Sequence, residues 1–301
     1  MLKNFIELEQ QLKNKVTVPK RIALVKAANE HALHSVLDFA RNGYLIPILI
    51  DDKEKLEKLL SESDTTNCSY EIIDESDDAL AAKKGVELIR EGKADFLMKG
   101  HLETATLLKE VVNRETGIRD KDVLFHLAIL DVPKYDKLLG ITDGGMLLTP
   151  TLEQKIQVIE ASSEIFKRLG YTRPKVSLLS AAEKVNAKLQ SSVEAHDITM
   201  QLVNNPNYLV EGPLSLDISL NKEIAEQKGY SGEIKGDADI LVVPDIVAGN
   251  TLAKSLTLMS GANMSGLVLG AKVPIVLTSR GATEEEKKYS LTLALLVSGG
   301  N

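Results

Sequence analysis

The sequence predicts an α/β fold of two domains with mostly parallel sheets flanked by helices. Short apolar runs alternate with helical patterns along the whole chain, which is typical of parallel strands joined by helices. Several runs, such as Ile240-Leu-Val-Val243, are continuously apolar, as expected of strands covered on both faces. The length of 301 residues allows about two domains of ~150 residues each.

Ten segments have the composition of strands, and six have helical periodicity. The predicted strands are 21–26, 45–50, 70–73, 94–99, 124–130, 137–142, 175–180, 207–211, 239–243 and 273–278. The predicted helices are 29–41, 78–91, 104–113, 151–169, 181–202 and 284–297. The helix over 151–169 places Leu152, Ile156, Ile159 and Phe166 on one stripe and stops at Gly170.

The charge balance excludes some classes of partner. The chain carries 36 basic and 43 acidic residues, a net charge of -7, so a broad basic surface for nucleic acid is not expected. No uninterrupted apolar run approaches the ~18 residues of a membrane helix, and the first ten residues lack a signal-peptide pattern. We therefore expect a cytoplasmic protein without a membrane partner. The single cysteine, Cys68, excludes an intrachain disulfide.

In open α/β sheets, ligands bind beyond the carboxyl ends of strands, beside helix N-termini. At the first such junction a strand ends at Lys99-Gly100 and a helix is predicted to begin near Thr104. Gly100 permits a tight turn, and the hydroxyls of Thr104 and Thr106 lie beside the first-turn amides. The segment predicts either a small-anion site or a glycine turn with a threonine N-cap.

The second junction follows the apolar strand 239–243. Asp245 comes directly after it, and Gly249-Asn250 is predicted to open a helix that carries Lys254 one turn further on. Asn250 is suited to the N-cap position. Asp245 is predicted either to bind a ligand or to form a structural ion pair with Lys254.

The third junction places Ser279, Arg280 and Gly281 in the turn before the last helix. The planar five-donor fork of Arg280 suits phosphate or carboxylate. Glu286 lies three residues beyond Thr283, which is the spacing of a capping box, so its ordinary role is to bond a backbone N–H. A catalytic role for Glu286 is the alternative.

The remaining motifs of the sequence carry no catalytic signature. A fourth junction, Ser180 followed by Glu183, is explained by a second capping box. The histidines show no metal-ligand spacing, and the sequence has no nucleophile elbow, phosphate loop or dinucleotide fingerprint. The residues alone thus predict an anion-binding α/β enzyme, without specifying its reaction.

The junctions taken together resemble those of the phosphate acetyl- and butyryltransferases. A long segment, 235–254, matches the family's Gly-x-Ala-(strand)-Pro-Asp-x-x-x-Gly-Asn-x-x-x-Lys signature, and Ser279-Arg280-Gly281 with an acid six residues later matches a second one. Further matching blocks are Ala94-Asp95 with Gly100, Thr104 and Thr106; Ile141-Thr-Asp-Gly-Gly145; 149–154; Glu211-Gly-Pro213; and Asp217. The 98–100 segment and the short N-terminus are more similar to the butyryl branch.

The resemblance implies reversible transfer of a short-chain acyl group, butyryl-like or branched, between coenzyme A and inorganic phosphate. Coenzyme A, acyl-CoA, inorganic phosphate and acyl phosphate would be substrates, and no cofactor would be tightly bound. The implied fold is similar to that of isocitrate and isopropylmalate dehydrogenases, with the active site in a cleft between domains. A discontinuous first domain would comprise 1–148 and 268–301, a second domain 149–267, and the protein would be a homodimer.

The resemblance also assigns roles to residues at matching positions. Arg280 would hold the phosphoryl group, Ser279 would donate to the same centre, and Glu286 would replace the family's aspartate as base for the coenzyme A thiol. The remaining substrate-binding positions are Lys99, Gly100, Thr104, Thr106, Lys109, Asp245, Gly249, Asn250, Lys254 and Gly281. A family arginine aligns with Leu108 or Lys109. If Lys109 replaces it, phosphate would be bound by the point charge of an ammonium instead of the planar guanidinium of arginine.

Two alternative functions remain open at this point. A metal- and NAD-dependent hydroxyacid dehydrogenase of the same fold would need clustered aspartates, and Asp237, Asp239 and Asp245 are the nearest set. Asp237 and Asp239 precede the strand and are predicted to lie at its other end. The second alternative is a non-catalytic protein that binds coenzyme A or acyl phosphate.

Overall fold

A computed structural model describes residues 1–278 and 281–298 and confirms the α/β class with mostly parallel strands and flanking helices. The strands in these residues are β1 (Lys20–Val25), β2 (Leu45–Asp51), β3 (Glu71–Asp74), β4 (Phe96–Lys99), β5 (Phe125–Asp131), β6 (Leu139–Thr142), β7 (Lys175–Leu179), β8 (Leu209–Leu214), β9 (Ile240–Val242), β10 (Asn263–Leu269) and β11 (Ile275–Val276). The helices are α1 (Phe5–Lys15), α2 (Glu30–Arg41), α3 (Lys53–Ser61), α4 (Asp78–Arg90), α5 (Thr104–Val111), α6 (Leu152–Arg168), α7 (Gln190–Leu202), α8 (Leu216–Leu220), α9 (Lys222–Gln227), α10 (Ile246–Ser260) and α11 (Glu284–Val297).

The chain divides into two compact units. The first unit comprises Leu8–Asp122 and Ser265–Asn301, and the second comprises Met1–Glu7 and Val123–Met264. These units differ from the expected domains in residues 1–7, 123–148 and 265–267. Residues 123–148 belong to the second unit because β5 pairs with β6, and β6 pairs in parallel with β9. The domain limits 1–148 with 268–301 and 149–267 stay a prediction about folding domains.

The first unit contains strands in the order β3-β2-β1-β4-β11-β10. All pairs are parallel except β10 with β11. The interior of β1 is fully buried from Ile22 to Val25, as its continuous apolar run predicts. Because β1, β4 and β11 run in the same direction, the segments that follow them begin at one edge of the sheet.

The second unit contains strands in the order β5-β6-β9-β7-β8. Strands β6, β9, β7 and β8 are parallel, and β5 is antiparallel to β6. The central strand β9 is buried along its whole length. The segments after β6, β7, β8 and β9 therefore begin at one edge, where the second group of predicted site residues lies.

Two sequence predictions of secondary structure are wrong in part. The predicted helix 181–202 begins only at Gln190, because Ser180 bonds the hydroxyl of Ser191 and Glu183 bonds Ser215. Glu183 therefore does not form the expected capping box with Ser180. Strand β10 was not predicted, since its first half is Asn263-Met-Ser-Gly266, a composition depleted in strands.

A close backbone contact joins α10 to the segment after β6. A Cβ atom added at Gly249 would lie 2.5 Å from the carbonyl oxygen of Asp143, and one added at Gly144 would lie 2.8 Å from the carbonyl carbon of Gly249. The side-chain amide of Asn250 donates to the Gly144 carbonyl at 3.0 Å. Only glycine at both positions allows this separation.

Among residues 1–278 and 281–298, none of the helices is both long enough and apolar enough to cross a membrane.

We expect Gly249→Ala to destabilise the protein by about 1–3 kcal/mol, because the new methyl group overlaps backbone that cannot move away. A glycine in an exposed helix interior normally gains about 1 kcal/mol on replacement by alanine, so the predicted sign is reversed. The exposed Thr251 on the same helix provides the matched control, and Thr251→Ala should be neutral or stabilising by up to about 0.7 kcal/mol. Urea unfolding measures both variants, and a Gly249→Ala protein more stable than the parent would contradict the contact.

Candidate functional site

The turn after β4 is fixed by its contact with the end of β1. The Gly100 N–H donates to the Val25 carbonyl at 2.7 Å, and the His101 N–H donates to the Lys26 carbonyl at 2.9 Å. A Cβ atom added at Gly100 would overlap the Lys26 carbonyl oxygen. The predicted tight turn is therefore present, and it requires glycine.

Lys99 is buried at the end of β4, with 9% of the residue exposed. Its ammonium donates to the carbonyls of Gly100 and Leu102, both at 3.2 Å. These bonds hold the ammonium against the backbone of the turn. Lys99 thus places a cation in contact with the segment that leads to α5.

Helix α5 begins at Thr104, with Glu103 at the N-cap position and no side-chain hydrogen bond to the first-turn amides. The expected threonine N-cap is therefore not formed. Thr104 and Thr106 both lie in the first turn of α5, where Thr104 is exposed and Thr106 is half-buried. Lys109 is exposed in the last turn, where a cation interacts favourably with the helix C-terminus.

The third junction is described only in part. Ser279 and Arg280 lie outside the described residues. Gly281 is exposed, and a Cβ atom added there would meet nothing within 4 Å. Helix α11 begins at Glu284 with Thr283 as its N-cap.

The expected capping box at Thr283 and Glu286 forms only by half. The Glu286 N–H donates to the Thr283 hydroxyl at 3.1 Å, and within the described residues the Glu286 carboxylate accepts no hydrogen bond. Helix α6 shows the complete box, in which Gln154 also accepts from the Thr151 N–H at 2.9 Å. Thus the Glu286 carboxylate is not used to cap its helix.

The environment of Glu286 favours its protonated form. The side chain is half-buried, and this burial raises the pKa of the carboxyl group above its ordinary value, against a smaller opposing effect of Lys287. A carboxylate with a raised pKa and no capping role is suited to accept a proton.

In the second unit, Asp245 is the N-cap of α10. Its carboxylate accepts from the Ala248 N–H at 2.9 Å, and the helix begins at Ile246. The predictions that Asn250 caps this helix and that Asp245 pairs with Lys254 are therefore wrong. Lys254 is exposed two turns into α10, on the face that also carries Asn250.

A buried aspartate that we did not assign to the site organises the loop after β6. The Asp143 carboxylate accepts from the N–H groups of Gly145 at 2.6 Å, Met146 at 2.8 Å and His126 at 2.8 Å. Burial lowers the pKa of His126, although the Asp143 charge acts in the opposite direction. The sequence signal for this loop is Asp-Gly-Gly directly after a buried strand, which is among the blocks that match the family, although Asp143 itself was not assigned to the site.

The aspartates of the dehydrogenase alternative do not come together. The Asp239 carboxylate binds the Lys137 ammonium at 2.5 Å, and Asp237 binds the Lys175 ammonium at 2.5 Å, both at the start of β9. Asp245 follows the other end of the strand. In the described part of the chain, no group of three His, Cys, Asp or Glu side chains is arranged to hold a metal ion.

Comparisons with known proteins agree with the motifs. The family model for phosphate acetyl/butaryl transferase matches residues 80–295. The phosphate butyryltransferase of Clostridium acetobutylicum is 36% identical over 301 residues, 99% of each chain. The phosphate acetyltransferase of Rhizobium meliloti is 37% identical over 270 residues, 89% of this chain and 85% of that protein.

The crystal structure of a branched-chain phosphotransacylase from Enterococcus faecalis V583 has the same fold. It matches with a TM-score of 0.84 and 37% identity, covering 93% of this chain and 100% of that one. The resemblance stated from the sequence motifs is thus confirmed: the chain belongs to the phosphate acetyl/butyryl transferase family of acyltransferases.

Proposed function

We propose that this chain catalyses the reversible transfer of a short-chain acyl group, butyryl-like or branched, between coenzyme A and inorganic phosphate. Family membership over nearly the whole length is the observation that carries the proposal. The names of a butyryltransferase and of a branched-chain phosphotransacylase among the relatives support this acyl class, and an acetyltransferase of similar identity makes acetyl-CoA the comparison substrate.

In the proposed reaction, the coenzyme A thiol loses its proton to Glu286 as its sulfur bonds to the acyl carbon of the acyl phosphate. The bond from that carbon to the phosphate oxygen breaks, and inorganic phosphate leaves with the bonding electrons. In the reverse direction a phosphate oxygen attacks the thioester and the thiolate leaves. A thiol with a pKa of ~8.5 is mostly protonated at neutral pH, so a base is needed.

Charge develops on the acyl oxygen and on the phosphate during transfer. We assign its stabilisation to the Arg280 guanidinium and the Ser279 hydroxyl, which occupy the matching family positions. The first unit would add the turn 99–106, where the Lys99 ammonium donates to the carbonyls of Gly100 and Leu102 just before the N-terminus of α5. These local donors explain how a chain with a net charge of -7 binds anionic substrates.

The finer expectations on architecture belong to the same proposal. The second unit would contribute the 143–145 loop and residues 245–254, with Asn250 and Lys254 facing the substrate. The active site would lie in a cleft between domains, as in the isocitrate and isopropylmalate dehydrogenases. A cytoplasmic homodimer without a tightly bound cofactor stays a prediction.

The first test is an assay of free thiol release from a panel of acyl-CoAs with purified protein. We expect release that depends on inorganic phosphate, with butyryl-CoA and branched acyl-CoAs preferred to acetyl-CoA. Sulfate in place of phosphate is the control, since it cannot accept the acyl group productively. Binding of coenzyme A without phosphate-dependent release from any acyl-CoA would instead support the non-catalytic alternative.

Replacing Arg280 by alanine should lower kcat by about 10²–10³, the loss typical of removing one transition-state donor. Thermal unfolding should be unchanged, and Arg173→Ala, at an exposed arginine in the second unit, is the control for a lost surface charge. A parental rate in the Arg280→Ala protein would exclude this residue from the mechanism.

Because the capping box is only half formed, variants of Glu286 and of the N-cap Thr283 separate a catalytic role from a capping role. Glu286→Gln and Glu286→Ala should both lower kcat by about 10²–10⁴ with the helix cap intact. Thr283→Ala should lose about 0.5–2 kcal/mol of stability and keep a near-parental kcat. Loss of kcat in Thr283→Ala with activity retained in Glu286→Gln would show that the cap matters and the carboxylate does not.

The pH dependence follows from the raised pKa of Glu286. The base works only when ionised, so kcat/KM should fall with decreasing pH along a limb that lies above the ordinary carboxyl value of 4.5. Ionisation of a raised-pKa carboxyl costs folding stability, so Glu286→Gln should be at least as stable as the parent at neutral pH. Below 4.5 both folded and unfolded states are protonated, and the difference should vanish. An acid limb that persists in the residual activity of Glu286→Gln would assign it to another group.

A further inference from the structure

A buried lysine at the end of β1 has no role in the proposed reaction. The Lys26 ammonium lies 2.7 Å from the Asp51 carboxylate and 3.3 Å from that of Asp78, and it donates to the Ser76 carbonyl at 2.9 Å. Asp51 is the last residue of β2, Ser76 lies between β3 and α4, and Asp78 is the first residue of α4. The ammonium therefore ties together the segments that follow three neighbouring strands.

The backbone of Lys26 adopts a conformation that this residue type rarely takes. Its φ of 59° lies in the left-handed region, where a side chain is disfavoured and surrounding contacts must hold the residue. The Asp51 carboxylate also accepts from the Ala28 N–H at 2.9 Å, which fixes the chain on the other side. The left-handed turn thus depends on contacts made by Asp51.

This strained backbone carries the candidate anion-binding turn. The Lys26 carbonyl accepts from the His101 N–H at 2.9 Å and lies against the face of Gly100 where a side chain would be. A rotation of the Lys26 peptide would therefore move the carbonyl that contacts Gly100 and accepts from the His101 N–H. Lys99 directly precedes these two residues, and α5 begins three residues after His101.

We propose that Lys26 is a positioning residue that, through its own left-handed backbone, holds the Gly100–His101 turn in the geometry needed to bind the phosphate group of the substrate. This inference rests on the proposed function, in which the turn 99–106 contacts the substrate phosphate. Burial lowers the pKa of Lys26, but the hydrogen bonds and charges of Asp51 and Asp78 together raise it by more than burial lowers it. The net shift is upward, so the ammonium stays charged at neutral pH.

The second unit provides a control of closely similar construction. The Lys137 ammonium lies 2.5 Å from the Asp239 carboxylate and donates to the Asp237 carbonyl at 2.7 Å. Side-chain exposures are 11% and 4% for Lys26 and Asp51, and 10% and 6% for Lys137 and Asp239. Lys137 and Asp239 precede β6 and β9, at the strand ends opposite to the predicted site residues.

The experiment compares Lys26→Met, Lys26→Arg and Lys137→Met in the full chain. Both methionine variants leave a buried carboxylate without its cation, so both should lose stability. Only Lys26→Met should raise KM for inorganic phosphate, by about tenfold with kcat changed less, because the turn would bind the phosphate in the ground state as well as in the transition state. Lys26→Arg, which retains the charge, should recover most of the affinity. Equal KM in the two methionine variants would overturn the proposal.

Amide hydrogen exchange gives a readout that needs no turnover. Exchange at His101 should accelerate in Lys26→Met and not in Lys137→Met, and equal exchange in both would refute the positioning role.

Should Lys26→Met fail to fold, Asp78→Asn removes the charge of one half-exposed partner of Lys26 and leaves the α4 cap Asp77 in place. That variant should show the same KM and exchange changes to a smaller extent, and parental values for both would overturn the proposal. An inactive parent would refute the proposed function, while the exchange data would still decide the role of Lys26.

Discussion

Backbone packed directly on backbone, at the carboxyl ends of parallel strands, is the constraint on which the candidate site depends. In the first unit Gly100 lies against the Lys26 carbonyl, and in the second unit Gly249 lies against the Asp143 carbonyl. A side chain at either glycine would separate the two segments. The first contact fixes the position of Lys99 and of the start of α5. The second contact fixes the position of the first turn of α10.

Each contact is held by a buried charged group. The Asp143 carboxylate accepts from N–H groups of the loop after β6, and the Lys26 ammonium binds the carboxylates of Asp51 and Asp78 and the Ser76 carbonyl, at the end of β2, the start of α4 and the loop after β3. Burying a charge is costly unless it is paired, so these groups fix one geometry and disfavour others. This local arrangement explains how a chain with a net charge of -7 can still present donors to an anionic substrate.

The sequence was sufficient for the architecture because parallel strands covered on both faces leave continuous apolar runs. It failed at β10, whose residues 263–266 are polar or small, and in residues 181–189, where side-chain bonds compete with the helix. The cap of α10 was also misplaced. Asp245 and Asn250 are both good N-cap residues. In the structure the Asp245 carboxylate accepts from the Ala248 N–H, while the Asn250 amide donates to the Gly144 carbonyl, which is distant in sequence.

The capping-box spacing, Thr-x-x-Glu or Thr-x-x-Gln, shows why motif and role must be separated. In α6 the Thr151 and Gln154 pair forms both bonds of the capping box, whereas in α11 the Glu286 side chain does not complete its box. Sequence alone could not distinguish these cases, because the difference lies in the side-chain rotamer and its surroundings. The half-burial that raises the pKa of Glu286 is likewise a tertiary effect.

Binding of phosphate to the turn 99–106 can be measured by titrating the isotope-labelled protein with inorganic phosphate and following the amide NMR signals. We predict saturable shifts at Gly100, His101, Thr104 and Thr106, with the signals at the amino ends of β6 and β9 unchanged. Phosphate-dependent turnover without any shift in residues 100–106 would contradict this prediction.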